Sequence, residues 1–260
     1  MIRSVVIIGS GNLAEALALA VAGSPAELRQ VFGRNRERVA AVAASARTEG
    51  ACEPERLARA DLYLIAVSDR AVAEVAAALP IPSSSVVAHT AGSVPVEALP
   101  ARFVRRAVFY PFQTFTKGRP VDFAEIPVLV EAPSPGLQDE LESFARLLSR
   151  RVYRADAAQR GRVHLAGVFA CNFANHLFQL GCEVLRRAGL PADLLHPLIA
   201  ETADKALGAA CPADVQTGPA VRGDRVTQQR HLELLRDEEL LAEIYRLITQ
   251  SIWETSRKIS

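Results

Sequence analysis

The segment SVVIIGSGNLA, residues 4–14, decides the fold of this chain. Its β-branched run, residues 4–8, is typical of a buried strand, and the Ala- and Leu-rich segment 12–22 is typical of a helix. The G-x-G-x-x-A pattern between them is weak alone, but a strand before it and a helix after it are the context of a dinucleotide-binding turn. We therefore predict such a site; the alternative is a glycine turn in a sheet protein without a ligand.

Each small residue of this loop has a physical role in that prediction. Gly9 permits the tight turn, Gly11 lets the backbone approach a pyrophosphate, and Ala14 allows the helix to pack closely on the strand. The free N–H groups and positive dipole end at the start of the helix favour phosphate binding. The residues expected to contact the cofactor here are Gly9, Ser10, Gly11, Asn12, Leu13 and Ala14.

The end of the second predicted strand, residues 28–32, distinguishes between cofactors. An NAD-binding protein usually carries Asp or Glu there to hold the ribose 2′-hydroxyl, but this chain reads GRNR at residues 33–36. An arginine can bind a 2′-phosphate through its planar, two-pronged guanidinium. We therefore predict NADP(H) rather than NAD(H), with Arg34 and Asn35 in contact with it; the alternative is ordinary solvated arginines.

The periodicity changes near residue 156. Before it, strands and helices alternate, which predicts a doubly wound parallel sheet in an α/β Rossmann domain over residues 1–156. Residues 157–260 form an all-α domain. The further predicted strands are 61–67, 86–88, 107–109, 128–130 and 151–153. The further predicted helices are 37–46, 70–79, 94–99, 136–150, a single long helix over 158–188, then 192–207, 227–235 and 238–256.

Composition excludes several classes of protein. The net charge is +1, from 30 basic and 29 acidic residues, so no broad field attracts nucleic acid or an anionic membrane. No stretch is long and apolar enough for a membrane helix. The four cysteines lack zinc-site spacing, which predicts no metal site; we expect them to be small core residues in a reducing cytoplasm.

Two later strand ends are candidates for the nicotinamide side of the site, because Rossmann ligands bind at the carboxyl ends of strands. Val67 and Ser68 are expected to line the nicotinamide ribose, together with Thr90. His89 closes a buried strand, where it either transfers a proton or is satisfied by backbone groups. The aromatic turn YPFQTF, residues 110–115, is either a substrate wall that includes Gln113 or core packing.

These motifs together resemble a known family. The stretches GSGNLA (9–14), AVSD (66–69) and HTAG (89–92), followed by TGPAVRGD (217–224), occur in this order in Rossmann-like proteins with a C-terminal DUF2520 domain. More distantly the chain is similar to pyrroline-5-carboxylate reductase and the β-hydroxyacid dehydrogenases. The resemblance spans essentially the whole chain. It implies an NADP oxidoreductase whose helical domain, similar to the C-terminal domain of 6-phosphogluconate dehydrogenase, dimerises.

The long predicted helix and the loop after it supply the candidate substrate residues. β-Hydroxyacid dehydrogenases place a lysine on this helix, and here His164, Asn172 and Asn175 form a polar trio instead. Regular helix spacing puts them near one face. They are expected to donate a proton and orient the substrate, or to form a strut between subunits or domains. Arg222 and Asp224 either form an ion pair or leave Arg222 to bind a substrate carboxylate.

The sequence therefore favours an NADPH-dependent reductase of a small carbonyl, imine or hydroxyacid substrate, with His164 or His89 as proton donor. One alternative is a non-catalytic NADP(H)-binding sensor, since fold alone does not establish catalysis. Another is an F420-dependent NADP reductase, which needs a basic cluster for the acidic tail of F420 that the sequence does not display. We expect a homodimer through the C-terminal helices, with His231 near the interface.

Overall fold

The computed structural model describes residues 1–259, and a single eight-stranded sheet forms the centre of the N-terminal part. The strands are β1 (Ser4–Ile8), β2 (Glu27–Phe32), β3 (Glu49–Ala51), β4 (Leu62–Ile65), β5 (Val86–His89), β6 (Arg106–Pro111), β7 (Val128–Glu131) and β8 (Val152–Arg154). Their order across the sheet is β3-β2-β1-β4-β5-β6-β7-β8. The strand order reverses beside β1, which is where ligands bind in doubly wound sheets.

Helices connect these strands and make up the C-terminal part. They are α1 (Asn12–Ala22), α2 (Arg36–Ser45), α3 (Val72–Ala78), α4 (Pro135–Leu148), α5 (Ala157–Gly167), α6 (Ala174–Arg187), α7 (His196–Gly208), α8 (Arg225–Leu234) and α9 (Glu239–Ile259). Short 3₁₀ turns lie at Pro54–Arg56, Asp69–Ala71, Val96–Ala98, Phe123–Glu125, Ala192–Leu195 and Pro212–Val215.

The sheet has a core on each face, as the continuous apolar strands predict. Val5 and Ile7 face a cluster completed by α1, α2 and α4. Val6 and Ile8 face the opposite cluster, to which α3 contributes. Helices on both faces of a mostly parallel sheet confirm the predicted doubly wound α/β class.

The predicted parallel sheet extends over six strands, and one edge departs from it. Strand β7 runs antiparallel to β6, and β8 is parallel to β7, so both oppose the other strands. The cause is the connection between β6 and β7, which contains the 3₁₀ turn Phe123–Glu125 but no crossover helix. A parallel return would need such a crossover. Strand β3 was not predicted, because a three-residue EGA segment carries no strand pattern.

Two other local predictions also need correction. The predicted single helix over residues 158–188 is interrupted by a π-helical turn at Val168–Phe173, which separates α5 from α6. The i→i+5 hydrogen bonds of a π turn alter the helical phase, and such turns occur frequently at functional sites. The prediction that the cysteines are core residues is wrong for Cys171 and Cys211, which are exposed; Cys52 and Cys182 are half-buried, and Cys52 packs against a core cluster.

Two compact units divide the described chain, Met1–Cys171 and a second one that begins at Asn172. The sequence placed the change of character at residue 156, but α5 packs with the first unit. The assignment of cofactor binding to residues 1–156 and of substrate binding and dimerisation to residues 157–260 therefore stays a prediction. No helix among residues 1–259 is long and apolar enough to cross a membrane.

Candidate active site

A groove of about 630 Å³ in the first unit runs along the carboxyl ends of β1, β2 and β4. The glycine loop after β1 forms one wall, and the tips of β2 and β4 form the others. Of the predicted cofactor residues, those that line the groove are Gly9, Ser10, Gly11, Asn12, Leu13, Arg34, Asn35, Val67 and Ser68. Ala14 lies fully buried behind the loop, where α1 packs on the sheet.

Gly9 fixes the path of this loop. Its φ of +134° belongs to the region that favours glycine, and a Cβ at this position would lie 2.2 Å from the carbonyl oxygen of Ala66. The Gly9 N–H donates to the Phe32 carbonyl oxygen at 2.7 Å. The loop is thus held against the tips of both β2 and β4, and no larger residue fits.

Gly11 serves a different purpose. Its backbone is extended, with φ −76°, and a Cβ there would meet no protein atom within 4 Å. Gly11 is the N-cap of α1, and no side chain caps the free N–H groups of the first turn. Packing within the protein therefore does not require a glycine at this position. A side chain here would instead obstruct an anion that approaches those N–H groups.

The three arginines near the tip of β2 have different surroundings. Arg36 pairs with Glu53 at 2.5 Å, and Arg38 pairs with Glu15 at 3.0 Å. Arg34 is exposed and makes no hydrogen bond or ion pair with any residue of the described chain. Asn35 accepts a hydrogen bond from the Arg38 N–H and so caps α2. Arg34 is therefore the cation at the groove that is available to a phosphate.

The ends of β4 and β5 are joined by side chains. Asp69 accepts a hydrogen bond from the Ser93 hydroxyl at 2.8 Å. Thr90 is buried, and its hydroxyl donates to the Ile65 carbonyl oxygen at 3.3 Å. Ser68 and Val67 line the groove itself, whereas Thr90 braces the strand behind it.

His89 is fully buried at the end of β5. Its Nδ1 accepts a hydrogen bond from the Ala91 N–H at 3.2 Å, so Nε2 carries the proton and faces the Pro95 carbonyl oxygen at 3.3 Å. Burial lowers the pKa of His89 to about 4, which keeps the ring neutral at physiological pH. Both ring nitrogens are thus used by backbone groups, and this environment argues against a role as proton donor.

The other candidate histidine has an aromatic partner. The His164 Nδ1 on α5 lies 3.2 Å from the hydroxyl of Tyr110, which stands near the end of β6. Burial and the negative charge of Asp69 raise the pKa of Tyr110, so the phenol holds its proton at neutral pH. Sequence reasoning noted the aromatic turn but did not single out Tyr110; its place in the turn, directly after an apolar strand, was the only signal.

Two glycines make room for this aromatic pair. A Cβ on Gly92 would lie 2.5 Å from the Tyr110 ring, and one on Gly167 would lie 2.6 Å from the ring of Phe112. The loop after β5 and the end of α5 therefore press directly on the aromatic turn. This contact sets the position of the Tyr110 hydroxyl relative to the sheet edge.

Arg160 anchors α5 one helical turn before His164. Its side chain is fully buried and donates to the carboxylate of Glu131, to the Ala155 carbonyl oxygen at 3.2 Å and to that of Val94 at 2.9 Å. A buried cation with these three acceptors ties the helix to β7 and to the loop after β5. Arg160 is thus a positioning residue for the Tyr110–His164 pair.

The remaining predicted substrate residues are dispersed. Gln113 is exposed, and its Oε1 accepts a hydrogen bond from the Thr114 N–H. Asn172 lies in the π turn and Asn175 in α6, so their predicted alignment with His164 rests on a regular helix that is not present. Asp224 accepts hydrogen bonds from the Thr227 N–H and hydroxyl, which together with the charge of Arg222 lower its pKa, so the two side chains interact electrostatically without a direct ion pair among the described residues. No cluster of His, Cys, Asp or Glu among the described residues has the makings of a metal site.

The two glycines of the loop give opposite expectations for substitution by alanine. We expect Gly11→Ala to leave thermal unfolding unchanged but to weaken dinucleotide binding at least about tenfold, because the new methyl obstructs phosphate contacts worth about 1.5–3 kcal/mol. Gly9→Ala, the matched variant, should lower the unfolding temperature because its methyl meets the Ala66 carbonyl. Calorimetric titration and thermal melts check this; an unaltered affinity in Gly11→Ala would contradict the assignment.

Comparison with known proteins agrees with this geometry. Residues 4–92 match the family model described as NADP oxidoreductase coenzyme F420-dependent, and residues 126–252 match the domain of unknown function DUF2520. No match was found among curated proteins.

Solved structures extend the likeness over the whole chain. A protein of Bacteroides fragilis to which an NADP oxidoreductase function is ascribed has 38% identity and a TM-score of 0.85, with 97% of this chain and 98% of that chain covered. An imine reductase from Myxococcus stipitatus in complex with NADP⁺ shares the fold at 14% identity and TM-score 0.62, covering 98% and 93%. A pyrroline-5-carboxylate reductase from Coxiella burnetii does so at 13% and 0.55, covering 100% and 99%. On the groove, the glycine loop and these matches, the chain belongs to the NADP oxidoreductase family whose Rossmann domain is followed by a DUF2520 domain.

Proposed function

We propose that this NADP oxidoreductase reduces the C=N or C=O bond of a small molecule, with Tyr110 as proton donor and His164 as the group that restores its proton. The observation that carries this proposal is the 3.2 Å contact between the Tyr110 hydroxyl and the His164 Nδ1. The pair lies in the same unit as the groove: Tyr110 is near the carboxyl end of β6, which β5 separates from β4, and His164 is on α5. A reductase of this kind needs a cofactor site and a side chain positioned to donate a proton to the substrate.

The residues of the groove fit NADP(H). The uncapped N-terminus of α1 and the close approach at Gly11 suit the pyrophosphate. Arg34 supplies a free guanidinium where an NAD-binding protein carries a carboxylate. Val67 and Ser68 remain candidates for contact with the nicotinamide ribose.

The chemistry divides between cofactor and protein. NADPH, when bound, would supply a hydride, which is equivalent to two electrons and one proton, and would leave as NADP⁺. The reduced nitrogen or oxygen of the substrate then takes one further proton. Tyr110 donates it from its hydroxyl, and the His164 ring, when protonated, passes its own proton to the phenolate through Nδ1. Asp69 disfavours a lasting negative charge on Tyr110, which drives this return of the proton.

The capacity of the site supports a small substrate with a C=N or C=O bond. An imine and a ketone each need one hydride and one proton, which is the capacity of this site. The fold is shared with an imine reductase and a pyrroline-5-carboxylate reductase. We assign Gln113, Asn172 and Asn175 as the polar residues that contact the substrate, and the cytoplasm as the compartment that supplies NADPH.

A homodimer is part of the proposal. In the second unit, the apolar residues that are buried among those described are only Ala220 and Ala242. Meanwhile Leu207 is 84% exposed and Leu247 60% exposed. Exposed apolar helix faces of this kind mark an interaction surface, and in homo-oligomers the same surface of a second copy most commonly buries it.

Cofactor preference tests the role of Arg34. We expect wild-type protein to bind NADPH more tightly than NADH, and Arg34→Leu to lose about tenfold in NADPH affinity with NADH unaffected, since a charge-assisted phosphate contact is worth about 1.5–3 kcal/mol. Arg36→Leu is the matched control, because Arg36 already pairs with Glu53. Tighter binding of NADH than NADPH in the wild type would refute the assignment.

Turnover tests the proton donor. Wild-type protein should oxidise NADPH in the presence of at least one member of a panel of cyclic imines, 2-oxoacids and β-ketoacids. Tyr110→Phe should lower kcat roughly a hundredfold, the lower end of the range for general acids, with the Kd for NADPH unchanged. Tyr153→Phe, a change at an exposed tyrosine, should leave the rate as it is. Full activity in both Tyr110→Phe and His164→Asn would contradict this mechanism.

Light scattering coupled to gel filtration tests the dimer. The wild type should have a measured molar mass of twice the chain mass. Leu247→Glu should lower the measured mass toward that of the monomer, because it places a charge on the exposed face of α9. Lys258→Glu, near the end of the same helix, should not. A wild-type protein that is monomeric at all concentrations would overturn the dimer.

A further inference from the structure

The second unit contains a groove that the cofactor does not require. Its volume is about 510 Å³, and it is enclosed by the loop before α8, by α8 and by α9. The loop carries the TGPAVRGD stretch, residues 217–224. Three arginines from these three elements line the groove: Arg222, Arg225 and Arg246.

The protein neutralises the positive charge of this groove only in part: hydrogen bonds from Thr227 and the nearby charge of Arg222 lower the pKa of Asp224, and no carboxylate pairs with Arg225 or Arg246 among the described residues. None of the three guanidinium groups makes a hydrogen bond or ion pair with another residue in the range 1–259. The nearest carboxylate in the loop, Asp224, accepts hydrogen bonds from the Thr227 N–H and hydroxyl, at 3.0 and 2.7 Å. Many other arginines of the chain are paired with carboxylates, as Arg187 is with Glu183. One carboxylate does not balance three guanidinium groups, so the cations repel one another, and an anion between them relieves this repulsion.

An aromatic wall stands opposite the cations. Trp253 on α9 lines the groove and is 40% exposed. Gly223 has φ +62°, and a Cβ on it would lie 3.1 Å from the indole ring, so the loop backbone rests directly on the tryptophan. Tyr245 also lines the groove, and its hydroxyl is held by the His231 Nδ1 at 2.9 Å. The Arg257 guanidinium lies over the indole ring, 5.8 Å from its centroid, so the groove combines a partly exposed aromatic ring with a cluster of cations.

We propose that this groove binds a small organic anion, a carboxylate or phosphate ester attached to a planar apolar body. The guanidinium groups bind the acidic oxygens through paired N–H donors, and the indole ring of Trp253 packs against the apolar part. The site is built entirely from the second unit. It shares no lining residue with the groove of the first unit, where the glycine loop and Arg34 are the proposed phosphate contacts.

The protein carries its own probe for this site. Trp253 is the single tryptophan of the chain, so its emission reports on the groove without interference from other indoles. Phenyl phosphate and benzoate serve as the two ligands, in a chloride buffer free of phosphate and carboxylates. Benzyl alcohol is the neutral analogue. Excitation at the red edge of the indole band avoids absorption by the ligands.

We expect a saturable change in Trp253 emission with phenyl phosphate, benzoate or both, and none with benzyl alcohol. Binding of one ligand alone identifies the acidic group as phosphate or carboxylate, and either result supports the site. Arg222→Met and Arg246→Met should each weaken binding at least about tenfold, as the loss of a charge-assisted contact predicts. Arg230→Met removes an exposed arginine of α8 that does not line the groove, and it should bind like the wild type.

Two outcomes overturn the proposal: no saturable response to either anion, or a response of equal affinity in Arg222→Met, Arg246→Met and wild type. Thermal unfolding of the same variants is the folding control, since the substitutions lie in the second unit, and binding of NADPH to them is measured in parallel. Because that binding depends on the first unit, an intact NADPH affinity with loss of anion binding separates this site from the proposed reductase function. The anion titration likewise tests this site independently of whether NADPH turnover is observed.

Discussion

The backbone of Gly9 lies so near the Ala66 carbonyl that no side chain fits between them, and the rest of the site depends on this approach. Its N–H binds the tip of β2 while its Cα faces the tip of β4, so one residue joins three strand ends. The loop then enters α1 with its first N–H groups uncapped. A wider turn would move the start of α1 away from the strand ends, and the groove would lose the donors that a pyrophosphate needs.

Glycines allow close approach at three further positions. Gly92 admits the ring of Tyr110, Gly167 admits that of Phe112, and in the second unit Gly223 admits Trp253. In each case a missing side chain allows an aromatic ring to lie directly on the backbone of a neighbouring segment. Aromatic groups are thereby positioned by close packing, which holds a hydroxyl or an indole face more firmly than an exposed rotamer would.

The sequence predicted the first unit well because its signals are local. The strand, glycine loop and helix at residues 4–22 and the absence of a carboxylate after β2 both lie within one continuous stretch. The Tyr110–His164 contact and the arginine groove could not be predicted in this way. Their members are distant in the chain, and only the folded backbone brings them together. The reversed direction of β7 results from the lack of a crossover helix after β6, and the π turn results from a local change in helical phase. Neither leaves a clear periodic pattern in the sequence.

The position of the cofactor is the central claim, and a crystal structure of the protein with NADPH tests it most directly. We expect the pyrophosphate at the N-terminus of α1 over Gly11, and the 2′-phosphate in contact with the guanidinium of Arg34. Density for the dinucleotide outside the groove, or a 2′-phosphate without contact to Arg34, would contradict it.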